Sequence, residues 1–396
     1  MEKITFVIPS RNNLEFLKLA HASIRGLKTI HEILVLNDGS SDGTFEWIEE
    51  TRKTDKSLTA HHNLDTSKRV GIVGMFDKGI EMSKTDVIMA FHADMVASPN
   101  LDEHILKNLK RGTVVTATRV EPPLHPPGPE KIIENFGLEA EEFNFDAWNE
   151  WCSNVDNGER VTEGIFAPWC MYKEDFLAIG GHDELFAPQS REDSDLFARF
   201  HLNGYKFIQP WSAVVYHFTS RGSRFNKHAG GGTGINSQEW INTNKKNERN
   251  FVRKWGTFPA HDKHMKPIVF PKYNIGIAIK NCTNDQLELL EPWSSTIYTD
   301  AEWMKYITIE QSKTNINLKE KIFSIQSDVK NNIEVRLDGT SFTEQDFNYI
   351  KALSQIIKES GEIGTFKLGN LEITINSLES YENSLIINKE KKNAKN

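Results

Sequence analysis

Three acidic motifs follow one another in the first half of the chain: Asn37-Asp38-Gly39-Ser40-Ser41-Asp42-Gly43-Thr44, His92-Ala93-Asp94 and Glu192-Asp193-Ser194-Asp195. In the first, Asp38 closes an apolar run, and its carboxylate can accept a hydrogen bond from a nucleotide base or ribose where Gly39 and the serines let the backbone come close. Capping accounts for part of the same motif, because Ser41 or Asp42 stands just before the helical pattern of Thr44 to Arg52. In the second, Asp94 follows the run Asp86 to Phe91. A carboxylate there can hold Mg2+ or Mn2+, hard cations that favour oxygen ligands and complete their shells with phosphate and water. Such an ion would neutralise a diphosphate leaving group. In the third, acidic residues at three of four positions exceed what a helix start gains from its dipole. One of them can take a proton from an attacking hydroxyl.

These motifs need elements that bring them to one place. Thr5 to Ile8, Ile33 to Leu36, Leu58 to His61, Val87 to Phe91 and Val114 to Ala117 read as strands. Leu14 to Ile24, Thr44 to Arg52, Val70 to Met82 and Leu101 to Leu109 carry apolar residues at helical spacing. The alternation predicts an α/β fold with a mostly parallel sheet covered on both faces and joined by right-handed crossovers. Ligands of such sheets sit at the carboxyl ends of the strands, where Asp38 and Asp94 fall. Asp193 to Leu202 reads as a helix, Ala213 to His217 as a strand, and Ser237 to Trp255 as a polar helix.

Between them, residues 121–164 break the pattern. Pro122, Pro123, Pro126, Pro127 and Pro129 cluster there, followed by Phe143, Phe145, Trp148 and Trp151 among acidic residues. The prolines predict an inserted loop, and the tryptophans with carboxylates would suit a sugar acceptor. Another loop, Arg221-Gly222-Ser223-Arg224 through Gly230-Gly231-Gly232-Thr233-Gly234, is basic and glycine-rich. It reads as a segment that orders over a bound nucleotide, with Arg221 among the nucleotide-sugar contacts.

Past Pro271, no acidic or histidine cluster of ligand spacing recurs. Ile275 to Ile279, Ile333 to Leu337 and Leu371 to Ile375 read as strands and Glu344 to Lys358 as a helix. Residues 1–265 are therefore expected to form the catalytic domain and 271–388 a smaller α+β accessory module, with a disordered, lysine-rich tail at 389–396.

At 396 residues the chain suits two domains, and a formal charge of −8, from 47 basic and 55 acidic residues, argues against a primarily nucleic-acid-binding protein. Cys152, Cys170 and Cys282 are widely spaced and form no CxxC pair, so neither a disulfide framework nor a zinc site is expected. With no signal-like or membrane-spanning stretch in view, a cytoplasmic location is expected, and Lys245-Lys246 could serve a phosphate or a peripheral membrane contact.

Together the motifs resemble glycosyltransferase family 2, whose members have the GT-A fold, over about residues 3 to 256. Ile4-Thr5-Phe6-Val7-Ile8-Pro9-Ser10-Arg11-Asn12 looks like the family's opening strand and turn, and Leu36 to Thr44 like its second. Gly180-Gly181-His182-Asp183-Glu184-Leu185-Phe186, followed by Glu192-Asp193-Ser194-Asp195-Leu196 and Arg199, resembles the segment carrying the family's base, and Lys254-Trp255-Gly256 its ending. The resemblance implies that Pro9, Arg11 and Asp38, with Asp42 as a weaker contact, surround the base and ribose. It further implies that Asp94 is the metal-reaching aspartate of the DxD motif, and that His217 completes the metal shell. Asp193 would be the general base for inversion at the anomeric carbon, with Asp195 and Glu192 in support and Glu192 also among the nucleotide-sugar contacts. His92 replaces the first aspartate of the DxD motif, and its imidazole would contact a ribose or phosphate instead.

The expected activity is that of an inverting, Mn2+- or Mg2+-dependent glycosyltransferase of hexosyltransferase type, moving a sugar from a nucleotide-diphosphate donor to a hydroxyl of a glycan or other acceptor. A sugar-phosphate nucleotidyltransferase would need glycines after the first strand, where Pro9-Ser10-Arg11-Asn12-Asn13 has none. A non-catalytic carbohydrate- or nucleotide-binding protein fits the altered DxD motif but leaves Asp193 without a role. A glycoside hydrolase has no need of Asp38.

Overall fold

The computed structural model describes residues 2–65, 67–155 and 158–387, and the expected tail at 389–396 lies outside them. The chain divides into two compact units, one running to Asn244 and taking in His261–Ile268, the other comprising Lys245–Ala260 and Val269–Ile386. The division expected between residues 265 and 271 falls instead within the helix Gln238–Trp255. Its later residues belong with the second core: Val252 packs into that apolar cluster and Arg253 pairs with Glu291.

In the first unit, strands β1 (Ile4–Ser10), β2 (Glu32–Asp38), β3 (Leu58–Asn63) and β4 (Val87–Ala90) alternate with helices α1 (Leu14–Arg25), α2 (Thr44–Thr54) and α3 (Gly71–Met82). Then come β5 (Met95–Ala97), α4 (Leu101–Asn108), β6 (Thr113–Thr116), β7 (Thr118–Glu121), β8 (Ile132–Ile133), α5 (Phe145–Asn154) and β9 (Val161–Thr162). The series ends with β10 (Trp169–Tyr172), α6 (Lys173–Ala178), α7 (Glu192–Leu202), β11 (Lys206–Pro210), β12 (Val214–His217) and the opening residues of α8 (Gln238–Trp255), whose remainder belongs to the second unit.

The main sheet has the order β3-β2-β1-β4-β10-β6-β11-β9. Strands β3 to β4 are mutually parallel, β10 runs against both its neighbours, and β11 is parallel to β6. This is the α/β, mostly parallel sheet expected. Ile4, Phe6, Val7 and Ile8 of β1 are all buried, so side chains on both faces of the strand lie inside. That is why its sequence is continuously apolar rather than alternating. The chain places β2 on one side of β1 and β4 on the other, and such a reversal opens a crevice at the carboxyl ends.

A second sheet, β5-β12-β7-β8, flanks the first. The segment read as an inserted loop supplies β8, α5 and β9 to this unit. Its tryptophans are not exposed sugar platforms. Trp148 is fully buried, stacks on Trp151 with ring centroids 5.6 Å apart, and joins a core with Val120, Tyr216 and Phe218. Asn144 caps α5 by accepting from the Ala147 amide, so a helix forms within the segment that the prolines predicted to be a loop.

The second unit holds a six-stranded sheet in the order Ile322–Ser324, Thr296–Thr299, Ile275–Lys280, Ile333–Asp338, Leu371–Ile375, Gly364–Leu368. The first four strands are parallel and the last two antiparallel. Its long helix Glu344–Ser360 begins with a capping box between Thr343 and Asp346 and ends at Gly361, whose φ of 63° suits a residue without a side chain. Among the described residues, no helix is long and apolar enough to cross a membrane.

Candidate active site

A cleft of about 250 Å³ opens at the carboxyl ends of β1, β2 and β4. Its wall brings together Pro9, Arg11, Asp38, His92, Asp94, Glu192, Asp193 and His217, residues that the sequence scatters over more than two hundred positions.

Asp38 is buried at the end of β2. Its Oδ2 accepts from the Gly71 amide at 2.7 Å, and its Oδ1 from the Val70 amide at 3.0 Å and from Asn63 Nδ2 at 2.9 Å. The carboxylate thus fixes the start of α3 as well as facing the cleft. Gly71 has φ 87°, and a Cβ there would come within 2.3 Å of the Pro188 carbonyl oxygen, so only glycine lets these segments close.

Asp94 and His217 meet because of sheet register. In the antiparallel β5–β12 pair His217 lies opposite Met95, and the Phe218 amide donates to the Asp94 carbonyl at 3.0 Å. One potential ligand atom from each of His92, Asp94 and His217 lies within 4.8 Å of the others, a spacing that one cation could bridge. His217 Nδ1 is hydrogen-bonded to Glu121 Oε1 at 2.8 Å, which leaves Nε2, 3.8 Å from Asp94 Oδ2, turned toward the group. A carboxylate behind a ligating imidazole is the usual way of fixing its orientation. Burial opposes the charge on Glu121, but Arg119, His217 and Lys131 outweigh it and hold the carboxyl well below the ordinary range. Burial lowers the pKa of His92, more than the Asp94 and Asp193 charges offset, and so keeps a ring nitrogen lone pair available to a cation. The donor set therefore fits a divalent ion, and His92, expected to contact a ribose or phosphate, lies within reach of the same ion.

Asp193 stands in the first turn of α7. The chain enters this helix through Ser190 and Arg191 at φ 78° and 71°, a conformation that side-chain-bearing residues seldom adopt. The helix is pinned from beneath by buried Arg199, which donates to Asp195 Oδ2 at 2.8 Å and to the carbonyls of Ile179 at 3.2 Å and Gly181 at 2.6 Å. Asp77 receives His182 Nδ1 at 2.6 Å from the same turn, and burial pushes that imidazole down to about 4. Asp195 is therefore a scaffold residue. Glu192, 8% exposed, is pushed upward by burial first and by Asp193 second.

Two of the expected contacts lie elsewhere. Asp42 does not line the cleft: it accepts from the amides of Leu14 at 2.9 Å and Thr44 at 3.2 Å, fastening the starts of α1 and α2. The Arg221 guanidinium is also turned away, donating to Thr233 Oγ1 at 2.9 Å and to the Leu138 carbonyl and lying 3.4 Å from Glu139. It is the Arg221 amide that serves the site, donating to Asp94 Oδ2 at 2.6 Å.

Sequence reading missed Glu121, hidden at the edge of the proline cluster, and Arg69. The latter lines the cleft and donates to Gln189 Oε1 at 2.7 Å and to Glu239. Its only signal was an arginine just ahead of a helix at the sheet's carboxyl edge.

Residues 5–155 match the family model described as glycosyl transferase family 2. The chain is similar to poly-beta-1,6-N-acetyl-D-glucosamine synthase of Staphylococcus aureus strain COL, at 25% identity over 123 residues, 31% of this chain and 29% of that protein. It is also similar to undecaprenyl-phosphate mannosyltransferase of Micrococcus luteus, at 25% identity over 123 residues, 30% of this chain and 49% of the relative. The match thus spans less than a third of the staphylococcal protein and about half of the other. Among solved structures, GalNAc-T7 with UDP, GalNAc and Mn2+ aligns at a TM-score of 0.47 and 11% identity, covering 65% of this chain and 51% of that one. Mannosyltransferase PcManGT from Pyrobaculum calidifontis, in complex with GDP-Man and Mn2+, aligns at 0.39 and 14%, covering 54% and 56%. The family match contains Asp38, His92 and Asp94, and α7 with Asp193 follows beyond it. The likeness to glycosyl transferase family 2 is thus carried by residues 5–155.

Proposed function

We propose that this protein is an inverting glycosyltransferase that moves a sugar from a nucleotide-diphosphate donor to a hydroxyl of a glycan or other acceptor. The observation that carries the reading is the meeting in one cleft of a cation-capable group, His92, Asp94 and His217, with a helix-start acid, Asp193, and a strand-end acid, Asp38. Asp38, Pro9 and Arg11 line the part of the wall formed by β1 and β2, where the nucleoside would lie. A divalent ion, Mn2+ or Mg2+, would be held by His92, Asp94 and His217 and would offset the charge of the departing diphosphate. Asp193 takes the proton from the acceptor hydroxyl as its oxygen bonds to the anomeric carbon and the bond to the diphosphate breaks. Attack from the face opposite the leaving group inverts that carbon. Asp195 and Arg199 hold α7, and with it Asp193, in position.

The test is a thermal-shift panel of nucleoside diphosphates and nucleotide sugars with and without Mn2+, followed by transfer assays with the donor it selects. A selective, metal-dependent shift with turnover supports the reading. A shift with no transfer to any hydroxyl acceptor would favour a binding protein instead.

A further inference from the structure

A second cavity, of about 420 Å³, lies beside the cleft, between the first turn of α1, the helical turn Ala140–Glu142 of the inserted segment and residues 225–228 of the glycine-rich loop. That volume falls within the range of small-ligand sites. The two hollows share Asn13 in their walls, yet the chemistry of the cleft makes no use of the second one.

Its wall sets aromatic rings among charges that are already matched. Phe16 is half-buried and meets Phe218 edge-on with ring centroids 4.9 Å apart, which holds its ring in place, and Phe225 lines the same hollow. Glu139 lies 3.0 Å from Lys227 and 3.4 Å from Arg221, and Glu15 lies 2.7 Å from Lys18. Asp42 accepts from the Leu14 and Thr44 amides, so the positive end of the α1 dipole has its counter-charge. An anion entering here would face four carboxylates, those of Glu15, Asp42, Glu139 and Glu141, and a cation would face Arg221 and Lys227. A neutral ligand carrying both donors and acceptors meets neither obstacle. A pyranose is such a ligand: its C–H faces suit the rings, and its rim of hydroxyls suits the carboxylates, the ammonium and the amides of Asn12 and Asn226. Arg221 joins the two hollows. Its side chain lines the second, where the buried Nε has no partner among the described residues, while its backbone amide donates to Asp94 Oδ2 in the first.

We propose that the second cavity is a binding site for a neutral saccharide, separate from the place where the glycosidic bond is made. Two sources share that chemistry. One is the far end of a glycan acceptor whose near end reaches Asp193, and the other is a free saccharide that acts as an effector through Arg221 and Asp94. The acceptor source rests on reading the cleft as a transferase site, whereas the cavity's affinity for a saccharide does not.

The test titrates N,N′-diacetylchitobiose, cellobiose, maltose and mannobiose into the full chain by calorimetry, with and without UDP or GDP and Mn2+ saturating the cleft. At least one disaccharide is expected to bind while the cleft is occupied. Phe16→Ala removes a ring and should weaken that binding about five- to tenfold. Ala140→Trp fills the cavity from the side of the inserted segment and should abolish it, with melting and nucleotide affinity near wild type. The same variant separates the sources. A raised KM for long acceptors, with the shortest unchanged, assigns the site to the acceptor glycan. An unchanged KM at every length, with loss of the disaccharide's effect on Mn2+ affinity, assigns it to an effector. The inference is overturned if no disaccharide binds, if binding is lost whenever the cleft is occupied, or if the variant that melts normally binds as wild type does. Should no nucleotide sugar be turned over, the transferase reading fails and the acceptor source with it, while the disaccharide titrations still decide the site.

Discussion

The protein contains two buried polar regions that differ in how their groups are satisfied. In the second unit, Glu291 receives Arg253 Nη2 at 2.6 Å, Lys321 Nζ at 2.6 Å and the Tyr306 hydroxyl at 2.8 Å, while Arg253 also reaches Glu310 at 2.7 Å. None of these residues has a buried polar atom without a partner among the described residues. In the cleft, by contrast, Ser10, Arg69 and Glu192 each keep a bare atom. A saturated network has its partners built in and serves the fold, whereas a wall with open valences is completed by something from outside. The two glutamates also carry opposite titration signatures. Burial opposes the charge of Glu291, but Lys321 and Arg253 overcome it and hold that carboxyl well below its ordinary range. Glu192 is shifted upward.

The contrast can be broken from either side. The largest effect is expected from Glu291→Ala, which strands Arg253 and Lys321 without their shared partner and should cost about 3–5 kcal/mol, read by denaturant unfolding, with nucleotide affinity of the folded fraction unchanged. Next is Asp193→Asn, which should lower transfer by about 10²–10⁴-fold, as for a lost general base, while calorimetric nucleotide binding and melting stay near wild type. Loss of binding instead would mean that Asp193 is a ligand contact.

A smaller effect separates the two glutamates by pH. A depressed carboxyl stabilises the fold above its unfolded pKa and loses that contribution as pH falls through the folded value, so Glu291 should make the protein acid-labile. A raised carboxyl works in the other sense: the folded state binds the extra proton, and stability declines as pH climbs from the ordinary carboxylate range toward the raised value. Glu192→Gln should therefore raise the melting temperature at pH 8 more than at pH 5, and an equal shift at both would contradict the assignment. The smallest effect concerns a residue outside both regions. Asp42→Ala should cost about 1 kcal/mol through lost bonds to the starts of α1 and α2, with donor affinity unaltered.

The strands and helices that build the cleft were legible because β1 to β4 are short, apolar and separated by amphipathic helices. Strand β10 was not, since Trp169 to Tyr172 carries no alternation and slots antiparallel between β4 and β6 after a long excursion. Trp148 and Trp151 misled for a related reason: aromatic residues among acids look like a sugar platform until α5 forms and turns them into a core. For the site, residue type singled out Asp38, Asp94 and the acids at the start of α7, and the family resemblance added His217 and chose Asp193; all four positions lie in the cleft wall. Type alone could not separate Asp42 from them, because an acid before a helix fastens helix starts as readily as it meets a ligand. Nor could it place His92 with Asp94 and His217, since that proximity depends on the turn that carries the chain from β4 into β5.

Asp94, in the turn just before β5, and His217, at the end of β12, are tied across an antiparallel strand pair by the bond from the Phe218 amide to the Asp94 carbonyl. The distance between them is then inherited from backbone ladder spacing, which loop substitutions leave untouched, and a one-residue slip would turn His217 to the opposite face. The pair is in that sense a fixed socket. On the proposed reading, an engineer could exchange α7, or the segment around Arg69, to change which sugar is held and leave the socket in place.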